Sequence, residues 1–134
     1  MPLFSVVIPL YNKQDYIAAC IQSVMNQSFL DFEIIVVNDC STDKTDYLIQ
    51  NIIQLNPTVE IKYIKHEKNS GKGAAIHSGI KNATGDYLII QDADLEYDPS
   101  EMNKLLKPVL DGYADVVYGS RFIGGAPHRI LFFW

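Results

Sequence analysis

Short apolar runs alternate along the chain with longer stretches whose apolar residues recur at three- and four-residue spacing. The first pattern predicts buried strands and the second amphipathic helices. Residues 4–10 (FSVVIPL) read as a first strand, with Pro9 near its end because a central strand needs the N–H that proline lacks. A helix is predicted over 16–25, with Ile17, Ala18, Ile21, Val24 and Met25 on one face and Asn12 as a candidate cap before it. A second buried strand is predicted over 32–37. A polar loop rich in capping residues follows (38–43), then a helix over 44–54 with Leu48, Ile49, Ile52 and Ile53 facing inward. A third strand is expected over 59–64. The polar loop 66–73 leads to a helix over 74–83. Residues 87–90 (YLII) then predict a short strand buried on both faces. Asp98-Pro99-Ser100-Glu101 has the form of a helix start, with Met102, Leu105, Leu106, Val109 and Leu110 giving the helix its inner face. A last strand is expected over 115–118, and residues 130–134 form a terminal apolar run.

This regular alternation, with crossovers long enough for parallel pairing, predicts an α/β fold: an open, mostly parallel sheet flanked by helices. Ligands in such sheets bind beyond the carboxyl ends of the strands. The polar residues that stand out cluster after predicted strand ends: Pro9 to Asn12, Asn38 to Thr42, Asp92 to Glu96, and Ser120 with Arg121. Four loops would then share one rim.

Composition narrows the picture further. The chain has 134 residues, 48% apolar and 20% charged, which suits one globular domain. A net charge of −5 leaves no basic footprint for nucleic acid, so an anionic ligand would need local cations. Cys20 and Cys40 lack C-x-x-C spacing and are expected to be reduced thiols. The N-terminal residues show no basic region of a signal peptide, and no run approaches membrane-spanning length.

The candidate chemistry centres on Asp92, Asp94 and Glu96, acids at alternate positions directly after an apolar strand. Two carboxylates aimed into one space repel, and a hard divalent cation turns that repulsion into attraction. Mg²⁺ takes only one or two protein carboxylates and completes its octahedron with water and phosphate oxygens, so D-x-D here suits a metal–diphosphate site. Alone, the pattern is also that of a solvated acidic loop. Asp39 could cap a helix or form an Asx-turn, or it could accept from a nucleobase or ribose hydroxyl; the two readings weigh evenly. Gly71-Lys72-Gly73 is better read as turn punctuation than as a phosphate loop, with Lys72 in reach of a diphosphate. Arg121 and Arg129 are the only arginines; Arg121 stands next to a predicted strand end with a fork suited to phosphate, a reading that weighs evenly with an ordinary surface arginine, which is the better reading of Arg129. No ligand spacing joins His66, His77 and His128, and none is assigned a role.

Five strings occur in order: SVVIPLYN (5–12), VVNDCSTD (36–43), GKGAA (71–75), DAD (92–94) and GSRF (119–122). Together they resemble the family 2 glycosyltransferases with the GT-A, Rossmann-like nucleotide-sugar-binding fold. The likeness is greatest to the branch of polyprenyl-phosphate (dolichyl-phosphate) mannosyl- and glucosyltransferases. The resemblance implies an inverting transfer of a hexose from a UDP- or GDP-sugar to a polyprenyl phosphate. The alternatives are a sugar hydroxyl acceptor, as in cell-wall, polysaccharide or O-antigen synthesis, and a non-catalytic nucleotide-binding module. It implies that Pro9, Tyr11, Val37 and Asp39 hold the nucleotide, with Ala93 packed on the sugar-nucleotide. Mg²⁺ or Mn²⁺ would sit on Asp92, Asp94 and Glu96, and Arg121 would stabilise the diphosphate. Two positions depart from the branch: Lys13, often acidic there, and Glu96, often glutamine. The resemblance further implies that residues 1–134 are the donor-binding part of a longer, C-terminally truncated domain. The expected location is the cytoplasm, at the membrane's cytoplasmic face through that further part.

Overall fold

The computed structural model describes residues 2–94 and 101–119. Among the described residues eight elements follow one another: β1 (Phe4–Leu10), α1 (Ile17–Met25), β2 (Phe32–Asn38), α2 (Thr45–Leu55), β3 (Ile61–Lys65), α3 (Lys72–Asn82), β4 (Tyr87–Ile90) and α4 (Met102–Leu110). The chain divides into two compact units, Met1–Pro99 and Ser100–Trp134; α4 belongs to the second and everything before it to the first.

The four strands form one parallel sheet in the order β3-β2-β1-β4, as the alternation of strand and helix predicts. Every residue of β1 is buried, and so is every residue of β2 after Phe32. This is what near-continuous apolar runs mean in a parallel sheet covered on both faces. On one face, Val7, Ile35, Val37 and Ala75 pack into a cluster that Ile64 and Ala83 flank. Gly79 lets α3 ride directly on β1: a Cβ there would stand 2.3 Å from Val7 Cγ1. Burial of the apolar faces of α1 and α2 closes the unit, with Ile17, Ile21 and Ile49 fully enclosed.

Several expectations are corrected. Residues 87–90 are not buried on both faces; among the described residues β4 pairs with β1 alone, and Leu88 and Ile90 are 37% and 44% exposed. An apolar run shows what a strand is made of, but not whether a neighbour covers it. Residues 115–118 form no strand, and Val116 and Tyr118 are exposed; among the described residues no strand pairs with them, and a strand exists only through pairing. The third strand begins at Ile61 rather than 59, and α3 begins at Lys72 rather than 74. Asn12 does not cap α1, whose first flanking residue is Tyr16. The expected helix-start residues Asp98 and Pro99 lie outside the described residues. No helix among the described residues is long and apolar enough to cross a membrane.

Pro9 sets where the sheet ends. The Val7 carbonyl accepts from the Gln91 N–H at 2.9 Å. The next rung on that side would need an N–H from Pro9, which has none, so β4 parts from β1 after Ile90 and Val7. β1 continues with β2 up to Leu10 and Asn38. The strand order also changes direction here, since β1 leads to β2 on one side and neighbours β4 on the other. A crevice at such a switch point is where open α/β sheets bind ligands.

Candidate functional site

A cleft of about 300 Å³ opens at this point. It is lined by Pro9, Tyr11 and Lys13 from the loop after β1, Asp39 after β2, Gly71 and Lys72 at the start of α3, and Asp92 to Asp94 after β4. Three of the four loops expected to share a rim do so. The fourth, with Ser120 and Arg121, lies outside the described residues, as does Glu96.

The loops after β1 and β2 are stitched to each other. Asn12 takes a positive φ of 50° and Cys40 one of 63°. The Asn12 N–H donates to Ser41 Oγ at 2.9 Å, and the Thr42 N–H donates to Asn12 Oδ1 at 2.8 Å. Lys13 N–H donates to Thr45 Oγ1 at 3.0 Å. The run Ser41-Thr42-Asp43 thus ties down the wall that carries Tyr11 and Lys13 as well as preceding α2. Asn12 is the partner across the loops rather than a cap, which is why the local pattern misplaced it.

Asp39 is 3% exposed, and its carboxylate bonds three groups from the loop after β3. Oδ1 accepts from His66 Nδ1 at 2.7 Å and from the Ser70 N–H at 2.9 Å. Oδ2 accepts from the Gly71 N–H at 2.7 Å and more weakly from Ser70 at 3.1 Å. Burial alone would raise its pKa, but hydrogen bonds from Ser70, His66 and Gly71 outweigh burial and hold it below the ordinary carboxylate value. An ionised carboxylate only accepts, so His66 carries its proton on Nδ1, and Nε2 faces Ser78 Oγ at 2.8 Å. Asp39 therefore caps the approach to α3 across the sheet, not α2 beside it. His66, given no role by sequence, is its partner. No local spacing signals this, because residues 39 and 66 meet only through the β2–β3 pairing that joins Asn38 to Lys65.

Asp92 and Asp94 both line the cleft. The Asp92 side chain is 12% exposed, and its Oδ2 accepts from Lys72 Nζ at 2.6 Å. Asp94 Oδ2 lies 3.8 Å from Lys13 Nζ. Behind them, the Cys20 thiol of α1 points to the Asp92 carbonyl at 3.7 Å. Burial, then the Asp94 and Asp92 charges, push that thiol up to about 12, so it stays an inert proton-bearing wedge. Ala93 is 2% exposed between the two acids. Pro9 and Tyr11 border the cleft, with Tyr11 44% exposed. Val37 is placed otherwise: fully buried among Val7, Ile35 and Ala75, its side chain belongs to the core.

No group of three or more metal-type side chains gathers among the described residues. The donor set nevertheless fits a hard divalent ion. Two aspartates at one cleft, each already facing a cation, offer what Mg²⁺ or Mn²⁺ takes from a protein when phosphate and water supply the rest.

A family model described as "Glycosyl transferase family 2" matches residues 5–129. The chain is 34% identical over 110 residues to a putative teichuronic acid biosynthesis glycosyltransferase, TuaG, of Bacillus subtilis, covering 82% of this chain and 43% of the relative. It is also 34% identical over 122 residues to a dolichol-phosphate mannosyltransferase of Pyrococcus furiosus, covering 90% of this chain and 34% of the relative. The chain thus spans less than half the length of these two relatives. Among solved structures it is similar to the mannosyltransferase PcManGT of Pyrobaculum calidifontis in complex with GDP-Man and Mn²⁺. That match has a TM-score of 0.72 and 25% identity, and it covers 79% of this chain and 32% of the other.

Proposed function

The chain belongs to glycosyl transferase family 2, and on that premise we propose that its cleft holds a nucleotide-diphosphate sugar whose hexose is transferred, with inversion, to a polyprenyl phosphate. The observation that carries this reading is the placement of Asp92 and Asp94 with Asp39, Tyr11 and Lys72 around one cleft at the carboxyl ends of β1, β2 and β4. The Mn²⁺ and GDP-Man in the similar mannosyltransferase support it.

In this reading Asp92 and Asp94 hold Mg²⁺ or Mn²⁺, which when bound neutralises charge on the diphosphate and so stabilises the leaving group. Glu96 and Arg121 are proposed to complete the metal and diphosphate contacts. Tyr11 and Pro9 flank the nucleoside, and the loop that Asp39 and His66 fix forms the opposite wall. Every acid described at this cleft is engaged by a cation or by backbone N–H groups. None is evidently poised as a general base. A lipid-phosphate acceptor is already anionic and dispenses with one, whereas a hydroxyl acceptor requires a group within hydrogen-bond reach. The acceptor therefore favours an enzyme working at the cytoplasmic face of a membrane. A second reading, a sugar hydroxyl acceptor, is supported by equal identity to the teichuronic acid relative.

Calorimetric titration of the chain with UDP and with GDP, in Mn²⁺ and in chelator, tests the donor site. Binding is expected to depend strongly on metal in the native chain and to lose that dependence in the double variant Asp92→Asn/Asp94→Asn. Equal affinity with and without metal would overturn the reading. A radiolabelled-donor assay offering polyprenyl phosphate beside simple sugars separates the two acceptors.

A further inference from the structure

The two aspartates assigned to the metal each face an ammonium, and the two pairs are unequal. Lys72 Nζ is 2.6 Å from Asp92 Oδ2, within hydrogen-bond distance, whereas Lys13 Nζ is 3.8 Å from Asp94 Oδ2. Within the closer pair, the aspartate side chain is 12% exposed and the lysine side chain 60%. The carboxylate is the fixed member and the ammonium, on its flexible four-carbon stem, is the mobile one.

Lys72 is also the first residue of α3, between Gly71 and Gly73. Gly71 has φ +88°, and the Lys72 side chain between the two glycines is 60% exposed, so its stem can swing away from Asp92. A divalent cation on Asp92 would stand within a few ångströms of the present ammonium position. The two positive charges would then compete for one oxygen. The diphosphate that accompanies the metal places new anionic oxygens in the same cleft, which Lys72 lines.

We propose that Lys72 is an exchange residue. It holds Asp92 as a stand-in cation in the metal-free protein, is displaced when the metal binds, and then pairs with the diphosphate. The inference rests on the metal–diphosphate reading of the cleft and goes beyond it by giving one side chain two successive partners. Displacement opposes metal binding in the absence of nucleotide and favours nucleotide binding in its presence. Metal and nucleotide are thereby made to bind together.

The test is Lys72→Gln beside a control of equal charge change, Lys81→Gln. Lys81 lies in the last turn of the same helix, roughly 13 Å along its axis. Two quantities are read. One is Mn²⁺ affinity without nucleotide, from the electron paramagnetic resonance of free Mn²⁺. The other is UDP and GDP affinity at saturating Mn²⁺, from calorimetry. Lys72→Gln is expected to bind Mn²⁺ about threefold tighter, as loss of an exposed competing ion pair allows. It is expected to bind the nucleoside diphosphate about tenfold more weakly, having lost a charge-assisted contact. Lys81→Gln should match the native chain in both. If Lys72→Gln binds Mn²⁺ no tighter than Lys81→Gln, or if both affinities move in the same direction, the exchange is refuted while the cleft reading stands. If the native chain binds neither nucleotide in a Mn²⁺-dependent way, both fall.

Discussion

Replacing Asp39 by alanine separates two roles that one carboxylate at a strand end could play. The structure gives it four contacts to three donors: His66 Nδ1, the Ser70 N–H and the Gly71 N–H. A net hydrogen bond to a charged group contributes about 1.5–3 kcal/mol, and water reaching the exposed Ser70 recovers part of that, so Asp39→Ala should cost about 3–5 kcal/mol. For a chain of this size that lowers the melting temperature by more than roughly 10 °C. Loss of a simple helix cap would cost only about 0.5–2 kcal/mol. Asp39→Asn should fall between, because its amide can accept from Gly71 while its NH₂ faces His66 Nδ1, forcing the ring to switch tautomer. Thermal and urea unfolding measure the stability, and calorimetry well below the transition measures nucleoside diphosphate affinity. Affinity should drop together with stability, since the loop leading into α3 is a wall of the cleft. Should Asp39→Ala melt within roughly 2 °C of the native chain, the anchoring argument is wrong. Should it do so while losing affinity, direct contact with the nucleoside is the better account.

Two further outcomes test the framework behind the cleft. Glu33, fully enclosed, accepts from Ser5 Oγ at 2.6 Å and from the Thr84 N–H and hydroxyl through Oε1. Oε2 receives no well-angled hydrogen bond and instead faces Lys62 Nζ at 2.5 Å. Burial would raise its pKa, yet Lys62, Ser5 and Thr84 together hold it down to about 2. Because the folded value lies below the ordinary 4.5, the resulting stability, ~3 kcal/mol, is present above that pH and lost as pH falls toward 2. Urea unfolding from pH 7 to pH 3 should show this slope in the native chain and a flatter one in Glu33→Gln; identical slopes would sink the argument. Gly79→Ala gains helix propensity but sets a Cβ 2.3 Å from buried Val7 Cγ1, so a net loss of about 1–2 kcal/mol is expected by chemical denaturation, and a gain would refute the close α3–β1 packing.

The sequence alone determined β1 to β4, the helices and the end of the sheet at which the cleft opens, but not the strand expected over 115–118. Those depend on the local period of apolar residues and on polar residues placed just after strands, as in SVVIPLYN and YLII-QDAD. Even the early end of the β1–β4 pairing is legible in Pro9, because a missing N–H is a property of the residue itself. What faces what was decided only in three dimensions. YLII reads as fully buried, yet among the described residues β4 has β1 as its sole paired neighbour, and neighbours decide burial. The resemblance assigns Val37 to the nucleotide by its place in a motif, and only the pleat shows that its side chain turns into the core. His66 and Lys72 carry no local signal. Each acquires its partner, Asp39 or Asp92, from strands that pair across tens of residues. Hydrophobic period is written within a few consecutive residues, whereas a charge finds its counter-charge only after the chain has closed.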